Sequence, residues 1–262
     1  MRDTAPADPL QTFFERLSSS SQRSLLLDYD GTIAPFTSDW KRALPYPGVV
    51  AVLSRILSSS ATRLAVVSGR PERDIERLLG MDPLPELWGS HGLEHRSRDG
   101  AYRARELSPA AVAHLAEASS WIRSRGWGAL LEEKPFGLAL HSRGASREEF
   151  SRARQETSAA WSEAFASVGL RPLEFDGGLE WRPPGDKGEV VARILSGMDP
   201  GAALAYLGDD RTDEDAFLAL GGRGLGVLVR PEVRETAADV WIRPPGELIT
   251  FLERWEQTTS ST

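Results

Sequence analysis

The stretch Ser24-Leu-Leu-Leu-Asp28-Tyr-Asp-Gly-Thr32 joins a short apolar run directly to two carboxylates and a glycine. An apolar run of this length, ended by polar turn residues, is typical of a strand buried on both faces of a parallel sheet. Similar runs occur at 64–68, 203–208 and 226–230, and helical segments lie between them, for example at 47–58, 72–79 and 187–195. Strands that alternate with helices predict an α/β fold with a doubly wound parallel sheet.

The middle of the chain has a different pattern. Amphipathic helices are predicted at 109–125 and 146–168, each followed by a predicted hairpin. The first hairpin joins 129–134 to 136–143 around Pro135, and the second joins 170–175 to 178–182 across Asp176-Gly177, a strong turn dipeptide. This order predicts a small α+β domain inserted at 105–180. The larger domain is then discontinuous, formed by residues 1–104 and 181–262.

The composition excludes several classes of function. The 262 residues carry a formal net charge of −7, which argues against a broad electrostatic surface for nucleic acid. There is no cysteine, so disulfides, thiolate metal sites and a cysteine nucleophile are excluded. No stretch approaches the roughly 18 apolar residues of a membrane span, and residues 1–21 lack the apolar segment of a signal peptide. We therefore expect no nucleic-acid or membrane partner and a cytoplasmic location.

Asp28 and Asp30 lie just beyond the first predicted strand. At the carboxyl end of a parallel sheet both carboxylates can face one crevice, where they repel each other unless a divalent cation lies between them. A small number of oxygen ligands favours Mg²⁺, and Gly31 allows a sharp turn whose backbone N–H groups can reach a phosphate oxygen. A calcium-binding EF-hand loop would need a glutamate where the chain has Thr37. From this motif alone, a plain acidic turn remains the alternative.

Three further polar groups follow later strands or open a helix. Ser68-Gly69-Arg70 offers a hydroxyl, a flexible backbone and a guanidinium after the second apolar run. Lys187 opens a helix, where its ammonium can neutralise a phosphoryl group or a carboxylate. The segment 209–215, which includes Asp209 and Asp213, places five carboxylates after the run at 203–208 and indicates a cation site. An ordinary turn, a solvated lysine and an acidic helix start are the respective alternatives.

In this order, the four motifs resemble the haloacid-dehalogenase superfamily of phosphotransferases, whose core is a Rossmann-like sheet. The resemblance implies that Asp28 is a nucleophile that forms an aspartyl-phosphate, and that Asp30 acts first as general acid and then as general base. It implies that Ser68 binds phosphoryl oxygens and that Lys187 neutralises nucleophile and phosphate. Further implied substrate contacts are Gly31, Thr32, Gly69 and Arg70, and the implied Mg²⁺ ligands are Asp28, Asp30 through its carbonyl, Asp209, and Asp213 through water.

Strings inside and around the inserted segment resemble the trehalose-6-phosphate phosphatases. These strings are His91-Gly-Leu-Glu94, Leu131-Glu-Glu-Lys134 with His141-Ser-Arg143, and Leu179-Glu-Trp-Arg-Pro183. The resemblance implies that the insertion is a cap domain, that the substrate is a sugar phosphate, and that Glu132, Lys134 and Glu180 hydrogen-bond the distal glucose. An exposed strand with a surface ion pair is the alternative for Glu132 and Lys134. His141 is interpreted as structural, and Ser142 departs from the tyrosine usual in that family.

Two rival functions remain open. One is another sugar-phosphate phosphatase of the same fold, acting on sucrose phosphate or mannosyl-phosphoglycerate. The other is a regulatory or binding protein with a degenerate site, which would have lost one of Asp28, Asp30, Lys187 or Asp209. All four are present. The sequence gives no indication of partner proteins.

Overall fold

The computed structural model describes residues 8–37, 39–59, 61–175 and 177–260. They fall into two compact units, divided between Arg103 and Ala104 and again between Gly185 and Asp186. The first unit is formed by the outer parts of the chain, and the second by the segment between the two divisions.

The strands are β1 (Arg23–Leu27), β2 (Thr62–Val67), β3 (Glu86–Gly89), β4 (Glu94–Arg96), β5 (Tyr102–Ala104), β6 (Leu131–Lys134), β7 (Gly137–His141), β8 (Arg171–Phe175), β9 (Gly178–Arg182), β10 (Ala203–Gly208), β11 (Leu225–Val229) and β12 (Val240–Ile242). The α-helices are α1 (Pro9–Ser19), α2 (Val49–Ser59), α3 (Glu72–Leu79), α4 (Pro109–Ser124), α5 (Arg147–Ser167), α6 (Lys187–Ser196), α7 (Glu214–Leu220) and α8 (Gly246–Ser260). Among the described helices, none has the length and apolar character needed to cross a membrane.

The sheet of the first unit has the strand order β12-β11-β10-β1-β2-β3-β4-β5. Neighbouring strands from β12 to β3 are parallel, and β4 joins β3 in the antiparallel sense. Strand β1 is central, with Leu26 paired to Tyr206 of β10 and to Ala65 of β2. The predicted α/β fold with a largely parallel sheet is therefore confirmed.

Helices cover both faces of the central part of this sheet, which explains why strands such as β10 and β11 are continuous apolar runs. Leu25 and Leu27 pack on one face with side chains of α1, α2 and α8. Leu26 packs on the other face with side chains of α6 and α7. Since burying one such side chain contributes roughly 1.5–3 kcal/mol, successive residues of β1 stabilise opposite layers of the core. The polar groups that follow β1, β2 and β10 begin where this double coverage ends.

The second unit has an antiparallel sheet in the order β6-β7-β9-β8. Helices α4 and α5 pack on it around a core that includes Ile122, Phe165 and Trp181. The predicted order of two helices and two hairpins is observed, although the predicted turn residue Asp176 lies outside the described residues. This unit ends at Gly185, five residues beyond the segment 105–180 expected from the sequence. Strand β9 pairs with β8 along its whole length up to Arg182, as the hairpin predicted at 170–175 and 178–182 requires.

Candidate active site

Three of the predicted site residues lie at the carboxyl ends of adjacent strands. Asp28 follows β1, and its backbone N–H donates to the Leu207 carbonyl at 2.8 Å, so the β1·β10 ladder fixes its position. Ser68 follows β2 and donates its N–H to the Trp88 carbonyl of β3 at 2.9 Å. Asp209 follows β10. In open parallel sheets this edge is where ligands bind.

Lys187 joins two of the carboxylates. Its Nζ donates to Asp28 Oδ1 at 2.6 Å and to Asp213 Oδ1 at 2.7 Å, and all three side chains are buried. Asp186 caps the start of α6 by accepting from the Glu189 N–H, which fixes the first residue of that helix. Burial lowers the pKa of Lys187, but Asp213 and Asp28 more than offset this, so its pKa is raised and the ammonium form is favoured.

Asp213 has both carboxylate oxygens occupied by hydrogen bonds. Oδ1 accepts from Lys187 and from the Tyr206 hydroxyl at 2.6 Å, while Oδ2 accepts from the backbone N–H groups of Asp209 and Asp210 at 3.0 and 2.9 Å. These four hydrogen bonds fix the Asp213 carboxylate, which in turn orients Lys187 and the start of the acidic segment. Tyr206 was not predicted as a site residue, because a tyrosine within an apolar strand is ordinarily a core residue.

Asp28, Asp209 and Asp213 each offer an oxygen, and these oxygens lie within 4.8 Å of one another. Burial raises the pKa of Asp28 to about 7, against the lowering effect of Lys187. Burial, with repulsion from Asp28 and Asp213, raises the pKa of Asp209 to about 9. Asp209 Oδ1 is buried and has no hydrogen-bond partner within the described part of the chain. Excess buried negative charge with an unsatisfied oxygen fits a hard divalent cation such as Mg²⁺.

Gly31 and Thr32 shape the turn after Asp28. Gly31 has φ +82°, and a Cβ there would lie 2.0 Å from Asp209 Oδ2, so only glycine lets Asp209 approach the turn. Its N–H donates to the Ala34 carbonyl at 2.8 Å. Thr32 is fully buried and donates from Oγ1 to Asp28 Oδ2 at 3.4 Å. Gly31 therefore leaves room for the Asp209 side chain, and Thr32 contacts Asp28.

Asp30 and Arg70 form a bidentate ion pair. Arg70 Nε donates to Asp30 Oδ2 at 2.6 Å and Nη2 donates to Oδ1 at 2.5 Å. Their partnership could not be foreseen from the sequence, since the two residues are 40 positions apart and were predicted to have different roles. Arg70 is buried, while the Asp30 side chain keeps 30% exposure. The Arg70 N–H also donates to Ser68 Oγ at 3.2 Å, so this pair is connected to the Ser68 hydroxyl.

The predicted sugar-binding residues lie together in the second unit. Glu132 of β6 and Glu180 of β9 both pair with Ala139 of β7, which places them in one row across the sheet. Lys134 Nζ donates to Glu180 Oε2 at 2.8 Å. Glu180 is buried and Lys134 is largely so, and the salt bridge is therefore not the exposed surface pair considered from the sequence. Side chains two residues apart on a strand lie on the same face of the sheet. Lys134 therefore lies on the same face of β6 as Glu132.

His141, which the sequence analysis interprets as structural, contacts Glu132. Its Nε2 shares a hydrogen bond with Glu132 Oε2. Burial acts to raise the pKa of Glu132, but His141 and Lys134 outweigh it and the net direction is downward. Glu132 is thereby favoured as a charged hydrogen-bond acceptor.

The fold of this chain is also the fold of solved haloacid dehalogenase-like hydrolases. A haloacid dehalogenase-like hydrolase from Bacteroides thetaiotaomicron has the same fold, with a TM-score of 0.65, 16% identity, and coverage of 89% of this chain and 99% of that one. Residues 26–237 match the trehalose-phosphatase family, and the chain belongs to that family.

Two relatives give the extent of the similarity. The trehalose-phosphate phosphatase of Mycobacterium ulcerans is 31% identical over 245 residues, which cover 88% of this chain and 60% of that protein. The chain thus spans about 60% of the length of the curated relatives it matches. The structure of trehalose-6-phosphate phosphatase from Aspergillus fumigatus has a TM-score of 0.72 and 26% identity, covering 97% of this chain and 99% of that one.

Proposed function

We propose that this protein is a Mg²⁺-dependent phosphatase that hydrolyses trehalose 6-phosphate through an aspartyl-phosphate on Asp28. The observation that carries the proposal is the buried Lys187–Asp28 contact of 2.6 Å. A carboxylate is a weak nucleophile toward a dianionic phosphate, and an adjacent ammonium lowers the repulsion between them. Membership of the trehalose-phosphatase family supports the choice of substrate.

The first chemical step transfers the phosphoryl group to Asp28. Lys187 holds Oδ1, and Thr32 contacts Oδ2, so the carboxylate is oriented before substrate arrives. The new bond joins an Asp28 oxygen to phosphorus as the bond from phosphorus to the sugar oxygen breaks. Asp28, Asp209 and the Asp30 carbonyl would hold Mg²⁺, with Asp213 acting through water, and the bound ion would neutralise charge on the phosphoryl oxygens. Asp213 contributes by orienting Lys187 and the Asp209 backbone.

Asp30 provides the proton transfers. It gives a proton to the departing sugar oxygen and then takes one from the water that attacks phosphorus, which releases phosphate and restores Asp28. Both Asp30 oxygens accept from Arg70 in the structure. Acting as an acid therefore requires Asp30 to release the guanidinium, which leaves Arg70 available for the phosphoryl oxygens.

The second unit is proposed to be a cap that selects the sugar. Glu132, Lys134 and Glu180 share one face of its sheet and carry the charged donors and acceptors that suit a disaccharide. Hydrogen bonds from charged side chains to sugar hydroxyls are the stronger kind and give specificity for the leaving group. They act on the sugar and not on the phosphoryl transfer.

Phosphate release from a panel of sugar phosphates, with and without Mg²⁺, tests the proposal. We expect trehalose 6-phosphate to have the highest kcat/KM and a chelator to abolish turnover. A preference for sucrose 6-phosphate or mannosyl-phosphoglycerate would overturn the substrate while keeping the chemistry. Full turnover in metal-free buffer would overturn the metal dependence, and no release from any ester would overturn the enzyme class.

A further inference from the structure

The 68–70 loop is paired to the segment that follows β3. The Ser90 N–H donates to the Arg70 carbonyl at 2.7 Å, and the His91 N–H donates to the Ser68 carbonyl at 2.9 Å. These two bonds act like a short ladder between the loop proposed to bind phosphoryl oxygens and the turn Ser90–Gly92. The shape of the loop therefore depends on the shape of the turn.

Two glycines allow close packing around the loop and the turn. A Cβ on Gly69 would lie 2.6 Å from His91 Nε2, and a Cβ on Gly89 would lie 2.5 Å from the Glu72 backbone nitrogen. The absence of a side chain at Gly69 leaves room for the His91 imidazole, and its absence at Gly89 leaves room for the Glu72 backbone. A movement of Ser90 or His91 is consequently passed on to the 68–70 loop.

The turn itself has an unfavourable backbone conformation. Ser90 and His91 have φ values of +50° and +58°, and neither is a glycine. Left-handed conformations are uncommon for such residues and persist where the surroundings hold them in place. Two in succession require a specific restraint.

Glu94 supplies a restraint of this kind. Its buried Oε2 accepts from Ser90 Oγ at 2.6 Å and from the Glu72 N–H at 3.1 Å, while Oε1 accepts from the Tyr102 hydroxyl at 2.8 Å. All of these groups belong to the first unit, and none is among the residues proposed to touch substrate. The carboxylate thus anchors Ser90 to strand β4 and to the start of α3.

We propose that Glu94 is a positioning residue: through Ser90 it holds the left-handed Ser90–His91 turn, and this turn keeps the 68–70 loop in the shape that binds a phosphoryl group. The inference rests on the proposed phosphatase function. A purely structural role is the competing explanation, since Glu94 also satisfies the N–H at the start of α3. The Ser90 hydroxyl separates the two roles, because its removal leaves the Glu94–Glu72 bond in place.

The test compares Ser90→Ala with Ser90→Gly in the full chain with saturating Mg²⁺. Both variants lose the hydroxyl, but glycine adopts the left-handed conformation without strain. Orthophosphate inhibition of turnover on a small non-sugar ester reports the phosphoryl site directly. We expect Ser90→Ala to weaken orthophosphate inhibition roughly 3- to 10-fold and to raise KM more than it lowers kcat. We expect Ser90→Gly to recover most of that loss.

The matched control is Ser119→Ala. Ser119 is buried and its hydroxyl also donates to a glutamate, Glu133, but in the second unit. This variant should leave orthophosphate inhibition unchanged. Thermal midpoints show whether each variant is folded.

Wild-type-like orthophosphate inhibition in Ser90→Ala, whatever its thermal midpoint, would overturn the positioning role. If Ser90→Ala does not fold, Glu94→Gln carries the test, since a neutral amide oxygen is a weaker acceptor for Ser90. We then expect inhibition weakened roughly 2- to 5-fold, and no change would overturn the inference. Failure of the proposed function is distinct, because the wild-type protein itself would neither release phosphate nor respond to orthophosphate.

Discussion

Lys187 sets the charge balance of the site. It is the cation that contacts both Asp28 and Asp213, while Asp209 adds a third buried carboxylate close by. Burial raises the pKa of Asp28 and of Asp209, and repulsion among three carboxylates that share one ammonium raises both pKa values further. A divalent cation bound between Asp28 and Asp209 would relieve this excess of negative charge.

Replacing Asp28 by asparagine tests its role as nucleophile. Asp28→Asn keeps the size of the side chain but removes the charge that attacks, so kcat should fall at least about a thousandfold with the fold intact. Circular dichroism checks the fold, and phosphate release checks turnover. Asp99→Asn is the control, because Asp99 is an exposed carboxylate of the same unit that binds Ser97. Substantial turnover by Asp28→Asn would end the aspartyl-phosphate proposal.

Tyr206→Phe removes one of the four donors to Asp213 and tests how much that hydrogen bond contributes to stability. Deleting the hydroxyl leaves a buried carboxylate oxygen short of one bond, which should lower the free energy of unfolding by about 1.5–3 kcal/mol. Tyr29→Phe is matched to it, since the buried Tyr29 hydroxyl donates to a neutral carbonyl, that of Ala43, and should cost about 0.5–1.5 kcal/mol. Urea unfolding with Mg²⁺ present measures both. An equal or smaller loss for Tyr206→Phe would contradict this account of Asp213.

At the residue scale, the sequence was informative where polar groups follow apolar runs. Asp28, Ser68 and Asp209 could be placed at one edge because parallel strands share it. The Arg70–Asp30 pair and the Tyr206–Asp213 bond could not be predicted. The first joins two loops, and the second comes from a side chain whose apolar surroundings indicate only burial.

At the scale of elements, strand register decides which side chains of the second unit act together. Ala139 lies between Glu132 and Glu180, so the two glutamates come from different hairpins but share a row. The sequence predicted the hairpins from turn residues and alternation, but it contained no signal for the pairing of β7 with β9. The strand predicted at 178–182 already extends past the predicted end of the inserted segment at 180, and the division after Gly185 lies beyond the end of that strand.

Lys134, which contacts Glu180 on this face of the sheet, is predicted to affect the sugar substrate selectively. Lys134→Ala should lower kcat/KM for trehalose 6-phosphate about 10- to 150-fold and barely affect a small non-sugar ester, which lacks the glucose hydroxyls. Glu133→Ala is the control, since Glu133 alternates onto the other face of β6, where Ser119 and Arg123 contact it. Steady-state kinetics measure kcat/KM of both variants on trehalose 6-phosphate and on the small ester. Equal losses on the two esters would assign Lys134 to folding and not to sugar recognition.

For the whole molecule, the buried acidic cluster should couple metal binding to stability. Because the folded chain brings Asp28, Asp209 and Asp213 together and the unfolded chain does not, Mg²⁺ should bind the folded state preferentially. At a Mg²⁺ concentration about 100 times Kd, the gain in stability should be about 2.7 kcal/mol. Calorimetry measures the midpoint with and without the ion. Asp209→Asn should remove most of the shift and Asp99→Asn should keep it, and an absent shift in the wild-type protein would contradict the proposed ligands.

The most direct test of the central claim is a crystal structure with Mg²⁺ and fluoroberyllate, which mimics a phosphoryl group bonded to a carboxylate. The account predicts the beryllium on a side-chain oxygen of Asp28, with Lys187 beside it and Mg²⁺ contacting Asp28 and Asp209. The same soak of Asp28→Asn should show no adduct. Fluoroberyllate on any other residue, or none on Asp28 at saturating Mg²⁺, would contradict phosphoryl transfer through Asp28.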